Sequence, residues 1–428
     1  MRAKFRVPTV IGLNSVLYFI ILSAYLNAVL RLSAGSNITL FRVLIPVAVL
    51  LILLSSAELF LKFLLAAVIL GVVQLCQHIM TGLVFYPIVG YSLRIFLEYY
   101  FHYCCILLLF FCILALRKLE GERFDRRFVL FLTGFVKCMA VFILVYTVVL
   151  GRALMTISRA DNINNIGCMM AAGMSLLLMK ARKDRKQLLW CLLIVFLLYH
   201  NDSKAAMFGA LAEIMIYIMI RFSNVPRSGR AILRCLIAVV AVLLAALVFL
   251  LIPKTEGYSL WGLIANPVGR VLRNDPFPYA NTSISYRTNS TITALNILKT
   301  SFGLGVGIGN TGRVLREVMV NVYETWSSSL TYSLHNWWLE LMCDFGWPAI
   351  LAELVLFVSA FRRFLFKRIE SAADYLQCVF FLSFPIWSIS ASGLTTEFYS
   401  LSVLIFALLI TGSTSGKRLV FIKSIKNH

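Results

Sequence analysis

The sequence is poor in charge, and poorest in acid. Only 14% of its 428 residues are Asp, Glu, Lys or Arg, and 19 Asp+Glu face 40 Lys+Arg. A soluble domain carries about a quarter charged residues, so a large soluble domain is excluded. Motifs for several chemistries are missing too. There is no HExxH, no GxSxG, no carboxylate pair at fixed spacing and no GxxxxGK[ST], which leaves metal or serine hydrolysis and ATP-driven transport without support. No internal repeat or low-complexity segment appears. Cys76, Cys104, Cys105, Cys112, Cys138, Cys168, Cys191, Cys235, Cys343 and Cys378 all fall in or beside apolar runs without a CxxC. They read as small buried hydrophobes rather than disulfides or a zinc site.

What is abundant is apolar: 60% of the chain, with a mean hydropathy of +0.87. The fold class this implies is an all-α polytopic membrane protein. Spans of about 20 residues cross a hydrocarbon core of ~30 Å. Apolar runs extend from the N-terminus to about Leu30, then cover 39–56, 59–80, 95–116, 128–150, 163–180, 187–200, 204–221, 231–252, 336–360, 374–391 and 396–412, about twelve transmembrane helices. The first run is too long for a signal h-region and reads as an uncleaved span. Pro87 and Gly90 break any helix in the 81–94 segment. Four parts follow: 1–158 with five helices, 159–252 with four, a large extracytoplasmic loop over 253–335, and 336–428 with three helices and a basic tail.

The net charge of +21 is distributed in clusters. Arg117/Lys118/Arg123/Arg126/Arg127, Lys180/Arg182/Lys183/Arg185/Lys186, Arg221/Arg227/Arg230/Arg234, Arg362/Arg363/Lys367/Arg368 and Lys417/Arg418/Lys423/Lys426 occupy every second connection. Cytoplasmic loops carry such an excess, so both termini are expected in the cytoplasm, and nucleic acid is not needed to explain the surplus. The long loop then lies outside. It is too apolar to be disordered. Ile292, Leu295 and Leu298, and again Leu315, Val318/Met319 and Val322, recur at helical spacing. Two amphipathic helices on the membrane's outer surface are expected, joined by the turn Gly303-Leu-Gly-Val-Gly-Ile-Gly309.

The outer face holds few reactive groups: Arg152, Arg159, His200-Asn-Asp-Ser-Lys204, Arg287, the glycine turn and Ser333-Leu-His335-Asn336. A base beside several cations suits glycosyl transfer from a polyprenyl diphosphate. Histidine accepts a proton near neutral pH, and guanidinium groups match the charge of a departing diphosphate.

These residues resemble a family. Arg287, the glycine turn, and His335-Asn-Trp-Trp-Leu-Glu-Leu-Met-Cys-Asp-Phe-Gly346 look like the signature of the O-antigen ligase and bacterial polysaccharide polymerase family. Arg159-Ala-Asp-Asn162-Ile-Asn164-Asn-Ile-Gly167 resembles its earlier Arg…Asn-Pro-Asn…Gly segment, with Ile163 in place of the proline. Ser203-Lys204 stands where the family has Ser-Arg, which keeps the charge and loses the planar fork. The resemblance covers roughly 159–360; the first five spans match in topology alone.

The resemblance implies a GT-C-like inverting glycosyltransferase that uses neither metal nor cofactor, on the outer face of a bacterial cytoplasmic membrane. His335 would be the base, Arg287, Arg159 and Lys204 would hold undecaprenyl diphosphate, and Asn336 would orient the histidine or the acceptor. Asn162, Asn164, Gly305 and Gly307 complete the expected binding set. The expected reaction joins undecaprenyl-diphosphate-linked oligosaccharide repeats into a surface polymer; alternatives are a ligase that moves the finished chain to another acceptor and a flippase or exporter. Membrane lipids, a chain-length regulator and a flippase are the expected partners.

Plainer readings stand beside these. Arg287 could snorkel to headgroups, as Arg152 and Arg313 are expected to. The glycines could form only a turn, or their amides could cradle a phosphate. Trp326, Trp337 and Trp338 could form an interfacial belt or stack on sugar. His78, His200 and Asp202 show no metal spacing. Within the spans, Lys137 and Glu213 lie at matching depths and are expected to pair, with Glu353 as the competing carboxylate.

Overall fold

The computed structural model describes residues 9–25, 40–84, 93–152, 163–201, 203–222, 260–278, 283–307, 309–323, 334–367 and 372–388, with a few isolated positions between them. Among the described residues the chain forms fourteen α-helices and no strand. The first eight follow the apolar runs: α1 (Thr9–Tyr25), α2 (Leu40–Ser55), α3 (Ala57–Val84), α4 (Leu93–Glu120), α5 (Phe124–Ile143, extended by a π-helical turn over Leu144–Val149), α6 (Ile163–Ala181), α7 (Gln187–His200) and α8 (Lys204–Phe222). Then come α9 (Leu260–Arg273), α10 (Ser283–Thr300), α11 (Asn310–Tyr323), α12 (Trp337–Phe345), α13 (Trp347–Phe366) and α14 (Ala372–Trp387). Ala57–Leu83, Phe96–Glu120 and Phe124–Val149 are long and apolar enough to cross a membrane. Most of the run expected at 231–252, all of that at 396–412, and Pro87 with Gly90 lie outside the described residues.

Cross-helix contacts fix the direction of each helix. His78 meets Phe96 and Phe63 meets Phe111, each at 5.6 Å, so α3 and α4 are antiparallel. Gly167 backs onto Ser203, and the Tyr217 hydroxyl donates to the Ala181 carbonyl at 3.4 Å, so α6 and α8 run parallel. Helix α14 opposes α8 through Ser383 to Glu213 (3.0 Å) and Tyr375 to Tyr217. This alternation gathers the basic clusters around Arg117, Lys180 and Arg362 at one end of the bundle. That cationic end is closed by Arg363–Asp374, Arg127–Glu120 and an Arg182 contact with the Ile369 carbonyl. Glycines let the helices close in. A Cβ at Gly209 would stand 2.8 Å from Trp387 Cδ1, so α8 and α14 pack backbone to indole there.

The opposite end is covered by α9 to α12. Helices α10, α11 and α12 enclose a small core of their own, comprising Ala294, Ile297, Val306, Val314, Leu315, Leu334 and Cys343. Two helices are present where the amphipathic pair was expected, as α10 and α11, with α9 as an unforeseen third; α10 departs from the expected pattern, since Leu295 is exposed while Thr288, Asn289, Ser290 and Thr293 are buried beside Ile292. The apolar run at 336–360 is not one span. Gly346, at φ +68, ends α12, and Trp347-Pro348 starts α13 anew.

The Lys137–Glu213 pair does not form. Lys137 Nζ lies over the Trp190 ring at 5.3 Å, while Glu213 turns to Ser383, and Glu353 forms no ion pair among the described residues. Depth along a helix is legible from spacing; the angle about its axis depends on the neighbours.

Candidate functional site

The site is built on a short helix and its two ends. Asn336 caps the N-terminus of α12: its Oδ1 accepts from the Leu339 amide at 3.3 Å, and its carbonyl accepts the first helical bond, from Glu340, at 3.0 Å. His335 precedes the cap in the left-handed region, at φ +49. That conformation costs an L-residue about 1–2 kcal/mol, so the surroundings must impose it. They do so through α10. The Ser290 hydroxyl donates to the Leu334 carbonyl at 3.4 Å, Leu334 is buried in the small core, and the Tyr286 ring meets the His335 ring edge-on at 5.6 Å. Asn289 of the same helix grips the Phe277 backbone twice, at 2.8 and 2.9 Å.

Arg287 follows Tyr286 and brings its charge to the histidine. Burial, and after it the Arg287 guanidinium, hold the His335 imidazole down to about 4, so it is neutral at pH 7 and able to accept a proton. Arg287 is half-buried, and burial lowers it from the usual arginine range. The structure thus brings together a neutral base and a partly desolvated cation.

The other end of α12 explains the glycines. A helix leaves its last four carbonyls without intrahelical partners. Here Met342 O accepts from Gly346 N (2.8 Å), Cys343 O from Val306 N (2.7 Å), Asp344 O from Gly307 N (3.1 Å) and Phe345 O from Gln77 Nε2 (3.1 Å). Residues 303–307 of the glycine-rich turn cap this helix. Gly305, at φ +78, lies so close that a Cβ would stand 2.7 Å from Gly346 N and 2.8 Å from Cys343 O. The Gly307 amide serves α12 and is not open to a phosphate. Buried Asp344 accepts from the Thr311 hydroxyl at 2.6 Å; burial and Glu340 raise its carboxyl well above the usual range.

The remaining expected residues divide. Lys204 opens α8 and Asn164 lies in the first turn of α6, their side chains outside the description; Arg159 and Asn162 lie outside the described residues. Helices α6 and α8, which carry Asn164 and Lys204, are joined to α12 through α14. Gly167 of α6 backs onto Ser203, beside Lys204, and the neighbouring Cys168 donates to the Trp387 carbonyl at 2.6 Å. One turn back, Phe384 meets Trp337 and Trp338 at 4.7 and 4.9 Å. Those two indoles are therefore partly buried and pack against the bundle core through Phe384. Trp347, 52% exposed, has the interfacial character expected of them, and Trp326 lies outside the described residues. Among the described residues no three His, Cys, Asp or Glu side chains gather at one point. Gln77, His78 and Thr81 at the end of α3 contact the glycine turn and were missed as site residues. Polar groups inside a span were their signal.

Residues 188–354, which include Lys204, Arg287, the glycine turn and His335, match the family described as O-antigen ligase. The chain is also similar to the teichuronic acid biosynthesis protein TuaE of Bacillus subtilis (strain 168), at 25% identity over 212 residues. That match spans 48% of this chain and 40% of the relative's own length. No solved structure matches. These similarities support the O-antigen ligase and polymerase family as the one this chain resembles.

Proposed function

We propose that this protein, a membrane protein carrying an O-antigen ligase family segment, is a GT-C-type glycosyltransferase that polymerises undecaprenyl-diphosphate-linked oligosaccharide repeats. The reaction runs on the outer face of the cytoplasmic membrane, with about twelve spans and both termini inside. The observation that carries this reading is the shared corner of His335 and Arg287, inside the family-matched segment, at the end of the bundle opposite the basic clusters.

In the proposed step the acceptor sugar's hydroxyl gives its proton to His335 as its oxygen attacks the anomeric carbon of the growing chain. The bond from that carbon to the diphosphate oxygen breaks, the configuration inverts, and undecaprenyl diphosphate leaves with the bonding pair. Arg287 stabilises the charge that develops on it, with Arg159 and Lys204 as further cations. Neither metal nor cofactor takes part. Asn336 fixes the helix start from which His335 projects, while Asn162 and Asn164 would face the lipid-linked sugar. Gly305 and Gly307 act by packing, because the turn is what holds α12. A chain-length regulator and a flippase are proposed partners.

The second reading, a ligase that moves the finished chain to another acceptor, keeps every role and changes the acceptor. The similar Bacillus protein is named for teichuronic acid biosynthesis, which is compatible with either acceptor. The test is to incubate the purified protein in lipid with one synthetic lipid-linked repeat and a chelator, beside His335→Ala. A ladder from the wild type alone is expected. A folded wild type that binds the lipid and makes no ladder shifts the reading to the ligase or exporter; a ladder from both proteins removes His335 from its role.

A further inference from the structure

Gln77 belongs to α3, far outside the family-matched segment, yet it reaches into the site's scaffold. Its Nε2 donates to two carbonyls at once, Leu304 at 3.0 Å and Phe345 at 3.1 Å. The first belongs to the glycine turn and the second is the last carbonyl of α12. Its own Oε1 is buried and has no hydrogen-bond partner among the described residues. Only the donor half of this amide is therefore used. Two neighbours seat the same turn: Thr81 donates to the Val306 carbonyl, and Asn310 Nδ2 meets His78 Nδ1 at 2.9 Å.

Helix α12 needs such help. It has nine residues, and isolated helices below roughly 12–15 residues are marginal in water. Its N-terminal cap lies beside His335, so any tilt or fraying at the far end moves the histidine relative to α10. Three of its four terminal carbonyls are bonded by backbone amides from within 303–346, and among the described residues the fourth is bonded by the Gln77 side chain. The Phe345 carbonyl is part-buried, so removing its donor leaves it incompletely satisfied and frees the end of this short helix to shift.

We propose that Gln77 is a positioning residue for the glycosyl transfer: it pins the C-terminal end of α12 to the membrane-spanning bundle and so holds His335 against Arg287. This rests on the reading of His335 as the base. It assigns a role in the site to α3, which sequence comparison leaves outside.

The test compares the full-length wild type in lipid with Gln77→Leu, which keeps the bulk and removes the donor, and Gln77→Lys, which keeps a donor and lacks the unused acceptor. Turnover in Gln77→Leu is expected to fall about tenfold, since small misplacements of a catalytic group lower rates on this scale, with KM for the lipid-linked repeat changed less than twofold. Gln77→Lys should retain at least half of wild-type turnover. Amide hydrogen exchange over residues 337–346 should quicken in the Leu variant and stay slow in the Lys variant. Equal turnover in Gln77→Leu and wild type, or equal impairment of both variants, overturns the proposal. If the wild type makes no polymer, the functional reading fails separately; unchanged exchange in the Leu variant would then overturn the pin by itself.

Discussion

Arg287 stands close enough to His335 that its positive charge adds to burial in keeping the imidazole neutral. In the free protein the imidazole is then unprotonated over a wide pH range and is a weak proton acceptor. A diphosphate beside Arg287 would offset the cation and make the histidine more basic in the complex, coupling donor binding to base strength.

This coupling has a pH signature. The acid limb of kcat/KM, which reports the free protein, should fall near pH 4. The limb of kcat, which reports the complex, should lie higher, toward 6.5. Arg287→Ala should raise the first limb, because a like charge is removed. For stability, the folded state holds His335 below its unfolded value. The unfolded chain therefore binds more protons between pH 6.5 and about 4, and wild-type stability falls as pH drops through that window. Thermal melts across it should show a smaller fall for His335→Ala.

Backbone conformation at the same residue gives a second prediction. At φ +49 an alanine keeps the steric conflict that glycine lacks. His335→Gly and His335→Ala should both be inactive, with the Gly variant more stable by about 1 kcal/mol. Equal melting temperatures would mean that glycine's extra freedom in the unfolded chain offsets the relief of the positive φ.

Gly305→Ala should be far more damaging than its size suggests. The added Cβ meets backbone atoms of Cys343 and Gly346 that cannot move without uncapping α12. Little folded protein is expected by gel filtration in detergent. Gly12→Ala, where nothing lies within 4 Å, should purify as well as the wild type.

The separation of Lys137 from Glu213 is testable by a double-mutant cycle. Lys137→Met and Glu213→Gln should combine additively in stability, within about 0.5 kcal/mol, as residues without contact do. Glu213→Gln should also preserve activity within about twofold, since the amide oxygen can still accept from Ser383. A proton-coupled exporter that relied on this carboxylate would lose its function.

These cases show where the sequence was informative. The bounds of α2 to α8 were legible because unbroken apolar runs end at charged or turn residues, and the positions of His335 and Arg287 followed from the order of motifs. The division at Gly346 was harder to see because apolar side chains continue across it. Gly346-Trp-Pro348 carried the signal of a helix stop followed by a start. The azimuths of Lys137 and Glu213 depended on neighbours that no spacing reveals. Gln77 was hidden for a different reason: its partners lie 227 and 268 positions away.

That separation orders events during synthesis. The seat on α3 is inserted early, long before the ribosome has made the turn and the short helix that occupy it. A growing chain thus carries an empty cradle through most of its production, and histidine and arginine meet only once some four-fifths of the polypeptide exists. Any truncated product that stops before α12 reaches the membrane with the seat on α3 but without the corner that His335 and Arg287 share.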